Sequence, residues 1–274
     1  MSTWWPLYLA GALGSLAYKA SADEALRVVL QGLDPPPYYL KPRYRVSLVV
    51  PAFNEIKYLG NLLRSAQNQT EAFSEIVVAD CSDPGEGTAA LARSWGAKIV
   101  QAPQGNIGLS RNLGGAAASG DILAFADADM ILAQTFTETA LNILESGAVL
   151  AHPKEVFYDS PAWRMVLHLP QMFRGNHEPS GCVVVRRAAF ISAGGYDESY
   201  QTGSEGGRAG EDSDFGRRVI QAFGPQSVRV MPLWIGASGR RWKKFGFFGH
   251  GPQFATPVRA RLPRDGVQSV TNRR

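Results

Sequence analysis

The sequence has few cysteines and lacks the glycine-rich loops that bind dinucleotides or nucleoside triphosphates. Its two cysteines, Cys81 and Cys182, have no cysteine or histidine near them at the spacing of a zinc site. Two cysteines cannot build a disulfide framework, which favours a reducing compartment. No GxxxxGK[ST] run occurs, and the first predicted strand leads into PAFNE (51–55) instead of GxGxxG. P-loop hydrolysis and nicotinamide or flavin chemistry are therefore disfavoured.

Charge is also scarce, and it is unevenly distributed. Charged residues make up 19% of the chain and apolar residues 45%, which excludes a disordered chain and predicts a globular domain. Residues 1–200 contain 15 Lys and Arg against 19 Asp and Glu, whereas residues 201–274 contain 13 against 5. The basic C-terminal quarter indicates a polyanionic partner, such as an anionic membrane surface, a phosphorylated ligand or nucleic acid.

The first 18 residues carry no charge, and Lys19 closes the run. Aromatic residues flank it, and a first basic residue on this side would place the remainder of the chain in the cytoplasm. We therefore expect residues 1–33 to form a hydrophobic helical membrane anchor, joined by a Pro-rich linker (34–44) to the domain. The alternative is a helix packed on the domain or on a partner chain.

Strands alternating with helices predict an α/β fold with a mostly parallel central sheet. We expect this catalytic domain to span residues 45–235, followed by a basic, aromatic segment over residues 236–274. The predicted strands are 45–53, 75–80, 97–101, 121–127 and 181–187, and the predicted helices include 85–96, 106–120 and 211–223.

Acidic residues follow three of the predicted strands. Because ligands of open parallel sheets bind beyond the carboxyl ends of the strands, these residues are expected to converge on one site. Carboxylates that face a phosphorylated ligand need a cation between them, and Mg²⁺ or Mn²⁺ is the usual one. The residues are Glu55 in PAFNE, Asp80 with Asp83, and Asp127 with Asp129.

Five motifs, in this order, resemble the inverting family 2 glycosyltransferases of the GT-A fold. They are VVPAFNE (49–55), EIVVADCSDPGEGT (75–88), GNIGLSRNLGGAAASGDILAFADADM (105–130), GGYDES (194–199) and GEDSDFGRRV (210–219). The resemblance implies a Rossmann-like, mostly parallel sheet flanked by helices, and it is strongest for the polyprenyl- and dolichyl-phosphate mannose synthases. One departure is that Cys81 follows Asp80, where the family commonly has a second acidic residue.

The resemblance also implies roles for individual residues. On the donor side, the nucleotide pocket and the diphosphate would be contacted by Pro51, Asn54, Glu55, Asp80, Asp83, Arg111 and Asp127. A Mn²⁺ or Mg²⁺ ion would be bound by Asp129, with Asp127 and His250 as further ligands. Glu211 and Asp212 match the acidic pair on the acceptor side, and Asp212 would be the general base.

Each role has a structural alternative. Asp80 is also suited to closing a turn through its side chain. Glu211 and Asp212 are also favourable charges at a helix N-terminus. Arg111 is also compatible with an exposed position on its helix, and a lone histidine such as His250 with a structural role.

The run RRWKKFGFF (240–248) mixes basic and aromatic residues, as an interfacial helix on anionic lipid does. The alternative is a cationic surface helix whose aromatic side chains are buried. Single-stranded nucleic acid also binds such mixtures, but the acidic sheet edge would repel it, so we expect no nucleic acid partner.

Together these features predict a membrane-associated, metal-dependent glycosyltransferase that faces the cytoplasm. It would move one sugar from a nucleotide diphosphate sugar, preferably GDP-mannose, to a lipid-phosphate or glycolipid acceptor. UDP-glucose or UDP-GlcNAc is the alternative donor. The other hypotheses are a nucleotidyltransferase and an inactive scaffold that binds a membrane or polyanion.

Overall fold

The computed structural model describes residues 5–172, 175, 179, 181–200 and 210–240. Within these residues a seven-stranded sheet is flanked by helices on both faces. The strands are β1 (Val46–Ala52), β2 (Glu75–Asp80), β3 (Lys98–Gln101), β4 (Ile122–Ala126), β5 (Leu150–Phe157), β6 (Cys182–Arg186) and β7 (Val228–Ala237). The helices are α1 (Trp5–Leu30), α2 (Leu59–Gln67), α3 (Thr88–Ser94), α4 (Ile107–Ala117), α5 (Phe136–Glu145), α6 (Pro161–Met172), α7 (Arg187–Ser192) and α8 (Glu211–Phe223).

The strand order is β3-β2-β1-β4-β6-β5-β7. Strands β1 to β4 pair in parallel, β6 runs antiparallel to both of its neighbours, and β5 pairs in parallel with β7. The prediction of an α/β fold with a mostly parallel sheet is confirmed. Because only β6 is reversed, the carboxyl ends of the other six strands meet at one edge of the sheet.

The two faces of the sheet are buried in separate cores, as a continuously apolar strand requires. In β1, Leu48 and Val50 point into the core beneath α2 and α5, whereas Val49 points into the opposite core with Phe190 and Phe215. Helix α4 lies close on that second face, because Gly114 leaves room for Val49. This close approach carries the polar residues of α4 towards the sheet edge.

Sequence reasoning missed β5 and β7 because each contains a proline. Proline cannot donate a ladder hydrogen bond, so it is tolerated in bulges and edge strands. Pro153 lies where the β5–β7 register shifts, between His152 and Lys154, and Pro232 lies in β7, the edge strand. Neither strand reads as regular β-structure from sequence, although both are integral to the sheet.

The N-terminal segment forms α1, whose C-terminal half packs on the domain. Ala22, Ala25 and Val29 are buried, the last two with Ile131 and Val156. The Tyr18 hydroxyl accepts a hydrogen bond from the Leu169 amide of α6 at 2.9 Å. Among the described residues, no helix combines the length and the apolar character that crossing a membrane requires. A membrane role for the segment therefore stays a prediction.

The short 3₁₀ turn after α1 (Gln31–Leu33) gives a test of this packing. A Cβ on Gly32 would lie 1.9 Å from the carbonyl oxygen of Leu132, in the loop that follows β4. Gly32→Ala is expected to lower the free energy of unfolding by about 1–3 kcal/mol, since one segment must move. Gly60→Ala is the control: it meets no atom within 4 Å and should stabilise α2 by about 0.5–1 kcal/mol. Equal urea midpoints for the two variants would contradict this packing.

Candidate active site

The acidic residues predicted from sequence are distributed along the edge where the parallel strands end. Glu55 follows β1, Asp80 ends β2, and Asp127 and Asp129 follow β4. Helix α8 contributes Glu211 and Asp212 from its first turn. The structure brings these carboxylates into two groups, each organised by one arginine.

The first group, the central cluster, consists of Arg111, Asp127, Glu211 and Asp212. Arg111 extends from α4, and its side chain is 1% exposed. Its Nη2 donates to Asp127 Oδ1 at 2.8 Å, and its Nη1 donates to Glu211 Oε1 at 3.1 Å. Asp212 Oδ1 lies 3.0 Å from the same Nη1 but makes no hydrogen bond. One guanidinium group therefore ties the loop after β4 to the start of α8.

Local structure fixes the position of Arg111. The Asn106 side chain caps α4 by accepting a hydrogen bond from the Leu109 amide at 2.9 Å. The guanidinium group stacks over the buried ring of Tyr196, with Cζ 4.9 Å from the ring centre. Tyr196 in turn stacks on Phe215 of α8, with ring centres 4.7 Å apart. The aromatic packing thus holds α4 and α8 at the spacing that the ion pairs need.

Three carboxylates around one guanidinium group cannot all be ionised at little cost. Although burial opposes its charge, Asp212 and Asp127 raise the pKa of Arg111, so it stays protonated. Burial and the neighbouring charges of Glu211 and Asp127 outweigh Arg111 and raise the pKa of Asp212 to about 8. Arg111 lowers the pKa of Glu211 despite its burial. Asp212 is therefore the group that exchanges a proton near neutral pH.

The second group, the rim cluster, consists of Glu55, Asp129 and Arg240. Arg240 follows β7, and its Nη1 donates to Glu55 Oε2 at 2.7 Å while its Nη2 donates to Oε1. Its Nε lies 3.0 Å from Asp129 Oδ2. Sequence reasoning placed Arg240 in the basic C-terminal segment and missed this contact. Because the preceding strand, β7, was itself not predicted, nothing in the sequence indicated that Arg240 lies at this sheet edge.

The loop after β1 and the loop after β2 are joined by reciprocal hydrogen bonds. The Asn54 side chain donates to Asp83 Oδ2 at 2.7 Å and accepts from the Asp83 amide at 3.0 Å. Asn54 has φ 55°, the left-handed region that asparagine tolerates better than most residues. Gln104 donates to Asp83 Oδ1 at 3.0 Å. These hydrogen bonds fix Asn54, Asp83 and Gln104 relative to one another, and together they form a rim beside the carboxyl end of β2.

The remaining predicted nucleotide residues lie at the same rim. Pro51 is in β1, opposite Ala79 of β2. Asp80 is buried, and its Oδ1 accepts a hydrogen bond from the Ser82 amide at 3.2 Å. This contact is the turn closure that the structural alternative anticipated. A contact between Asp80 and a nucleotide therefore stays a prediction.

The residues expected to bind a metal have suitable donor atoms. Asp127 and Asp129 offer carboxylate oxygens, the ligand type that Mg²⁺ and Mn²⁺ prefer, usually one or two per ion with phosphate oxygens and water. Among the described residues no three acidic, histidine or cysteine side chains form a metal cage. The two carboxylates therefore fit an ion that a bound diphosphate completes. His250 lies outside the described residues.

The predicted site residues are thus largely brought together. The central cluster and the rim cluster share the loop 127–129, and Asn54, Asp80 and Asp83 border them along the strand ends. Arg111 was expected beside the diphosphate. The structure places its guanidinium group beneath the carboxylates, where it supports Asp127 and the acidic pair of α8.

Comparison with known families gives one match. The model for glycosyl transferase family 2 matches residues 47–192, more than half of the chain. No curated protein matches the sequence significantly.

Solved structures share the fold at low sequence identity. Staphylococcus aureus TarS aligns with a TM-score of 0.54 and 19% identity over 71% of this chain and 36% of TarS. GalNAc-T7, solved with UDP, GalNAc and Mn²⁺, aligns with a TM-score of 0.55 and 17% identity over 71% of this chain and 43% of its own chain. Mannosyl-3-phosphoglycerate synthase from Rubrobacter xylanophilus aligns with a TM-score of 0.52 and 18% identity over 77% of this chain and 72% of its own chain. The chain spans less than half of the length of TarS and of GalNAc-T7.

The central cluster makes a stability prediction. Arg111→Met keeps a long, unbranched side chain and removes the charge, leaving buried carboxylates unpaired. It is expected to lower the free energy of unfolding by about 3–5 kcal/mol near pH 8, and by less at lower pH, where the carboxylates take up protons. Arg45→Met is the control, because Arg45 forms an exposed ion pair with Asp121. This substitution should lower the free energy of unfolding by only about 0–1 kcal/mol. Urea unfolding measures both, and equal losses would refute the organising role of Arg111.

Proposed function

The chain belongs to glycosyl transferase family 2, and we propose that it transfers one sugar from a nucleotide diphosphate sugar to an acceptor with inversion. The observation that carries this proposal is the central cluster. It joins Asp127, at the end of β4, to Glu211 and Asp212 through the buried side chain of Arg111. One guanidinium group thus links the carboxylate that we assign to the donor with the carboxylates that we assign to the acceptor.

The proposed reaction is an in-line displacement at the anomeric carbon. The acceptor oxygen forms a bond to this carbon while the bond from the carbon to the diphosphate oxygen breaks, and the nucleoside diphosphate leaves. A hydroxyl acceptor loses its proton to Asp212, whose raised pKa suits a base that works near neutral pH. Glu211 stays ionised beside Arg111 and keeps the acceptor side negative.

A divalent cation bound by Asp129, with Asp127, would neutralise the charge that develops on the leaving diphosphate. The chain's own residues supply the rest of the donor site. The rim made by Asn54 and Asp83 supports the proposal that the nucleoside lies along the ends of β1 and β2.

We propose GDP-mannose as the donor, with UDP-glucose or UDP-GlcNAc as the alternative. The preference comes from the resemblance to the polyprenyl-phosphate mannose synthases. The structural relatives are compatible with both, since one is named for a mannosyl product and another was solved with UDP and Mn²⁺. They are under 25% identical, so they support the fold and do not choose the base.

We propose further that the acceptor is a lipid phosphate or glycolipid and that the protein works at the cytoplasmic face of a membrane. An apolar strip on α6 supports this proposal, since Val166 and Leu169 are 54% and 50% exposed. Leu16 of α1 is 63% exposed, and Tyr18 joins the two helices. Exposed apolar side chains therefore occur on both of these neighbouring helices.

The donor is tested by binding of GDP, UDP, CDP and dTDP, each with Mn²⁺, Mg²⁺ or EDTA. A nucleotide at about 100 times its Kd should add roughly 2.7 kcal/mol of stability, seen as a rise in melting temperature. We expect one nucleotide to give a metal-dependent rise that is lost in Asp129→Asn. No response to any of the four would refute the donor site and favour an inactive scaffold. Pyrophosphate release from a sugar phosphate and a nucleoside triphosphate would favour a nucleotidyltransferase.

Asp212 is tested by its pH dependence. Asp212 acts as a base only when it is ionised, and its raised pKa means that it is ionised only at higher pH. With a hydroxyl acceptor, kcat/KM should therefore rise with pH through about 8. Asp212→Asn should lower kcat by about 10²–10⁴-fold and abolish this rise. With a phosphate acceptor, already ionised, the loss should be smaller and the profile flat. Asp214→Asn, on the same helix and paired with Arg218, is the matched control, and an equal loss there would contradict the assignment.

A further inference from the structure

The guanidinium group of Arg240 contacts two carboxylates, which lie in the loops after β1 and β4. Both oxygens of Glu55 accept hydrogen bonds from its terminal nitrogens, and Asp129 Oδ2 lies 3.0 Å from Nε. The group also lies over the ring of Tyr58, with Cζ 4.7 Å from the ring centre. The protein thus supplies a cation of its own to the carboxylate that is expected to bind a metal.

A short, well-anchored segment delivers this side chain. After β7, Ser238 Oγ donates to Asp159 Oδ2 at 2.7 Å, and the Gly239 amide donates to Asp159 Oδ1 at 2.7 Å. The Arg240 amide then donates to Ser238 Oγ at 3.2 Å. These three hydrogen bonds fix the backbone that leads into Arg240, so the guanidinium group has a limited reach that includes Glu55 and Asp129.

A divalent cation at Asp129 Oδ2 would compete with Nε of Arg240 for that oxygen. Both are positive, and their repulsion over a few ångströms is strong in a partly buried site. Metal binding through Oδ2 therefore displaces Nε from that oxygen, although Glu55 can keep both terminal nitrogens. The displaced Nε–H would then be available to donate to a diphosphate oxygen, and this hydrogen bond would be strengthened by the opposite charges.

We propose that Arg240 forms an ion pair with Asp129 when no metal is bound and competes with the divalent metal for this carboxylate. When metal and nucleotide bind together, Arg240 contacts the donor diphosphate instead. The metal part of this proposal is independent of the reaction, whereas the diphosphate part rests on the proposed function. Its consequence is coupling: metal alone binds weakly, and nucleoside diphosphate strengthens metal binding because it accepts the displaced arginine. Coupling of this kind is reciprocal between the two ligands.

The test is a titration of Mn²⁺ followed by the electron paramagnetic resonance signal of the free ion, with and without UDP or GDP. Arg240→Gln removes the charge and keeps a polar side chain, and Arg45→Gln is the control, since Arg45 precedes β1 at the opposite end of the strand. Without nucleotide, Arg240→Gln should bind Mn²⁺ at least about threefold more tightly than the wild type, and Arg45→Gln should not differ. With nucleotide, the gain in Mn²⁺ affinity should be smaller in Arg240→Gln than in the wild type.

Unchanged or weaker Mn²⁺ binding by Arg240→Gln would overturn the competition. The gain in Mn²⁺ affinity must also disappear in the double variant Arg240→Gln/Asp129→Asn. A gain that persists there would place the ion elsewhere and would also overturn the competition.

If the competition holds but nucleotide coupling is equal in both proteins, the proposed contact of Arg240 with the diphosphate is wrong. If no nucleotide binds the wild type, the proposed function fails together with that second part, while the result with Mn²⁺ alone still stands. Arg240→Lys, which keeps the charge without the bidentate grip, should give intermediate values, and thermal unfolding confirms that each variant is folded.

Discussion

The buried guanidinium group of Arg111 is the interaction on which the rest of the site depends. It holds carboxylates from the loop after β4 and from the first turn of α8, segments more than eighty residues apart in the chain. Removing a charge of this kind from water is costly, and only the surrounding carboxylates offset the cost. The same constraint leaves one carboxylate too many for full ionisation, and Asp212 therefore keeps a proton to a higher pH than an ordinary aspartate. Stability and acid–base chemistry have one origin here.

The sheet turns this local arrangement into a site. Six of its seven strands run in one direction, so their carboxyl ends form a continuous edge, and only β6 is reversed. Strand β7 adds the second arginine by ending at that edge, beside β5. The central cluster faces the start of α8, and the rim cluster faces the ends of β1 and β7. The loop 127–129 contributes one carboxylate to each cluster, so it links the two clusters.

The first half of the fold was predictable because its local signals agree with its tertiary environment. Strands β1, β2 and β4 are short apolar runs, and the structure buries them between two layers of helices. Strands β5 and β7 were not predictable, since Pro153 and Pro232 interrupt runs that only an irregular pairing and an edge position make acceptable. The packing of α1 on the domain was only the alternative prediction. Its buried face includes the small residues Ala22 and Ala25 beside Val29, and alanines carry little periodic signal.

The sequence by itself determined the kind of chemistry available, because the acidic residues sit at strand ends and at the start of a predicted helix. Together with the resemblance to the family, these positions predicted Asp127, Asp129, Glu211 and Asp212 as site residues before any contact was known. Only the tertiary structure decided which charges meet. It placed Arg111 beneath the carboxylates, raised the pKa of Asp212 and brought Arg240 from the end of the last strand to Glu55 and Asp129. The physical reason is that charge interactions depend on distance and burial, and neither quantity is encoded by spacing along the chain.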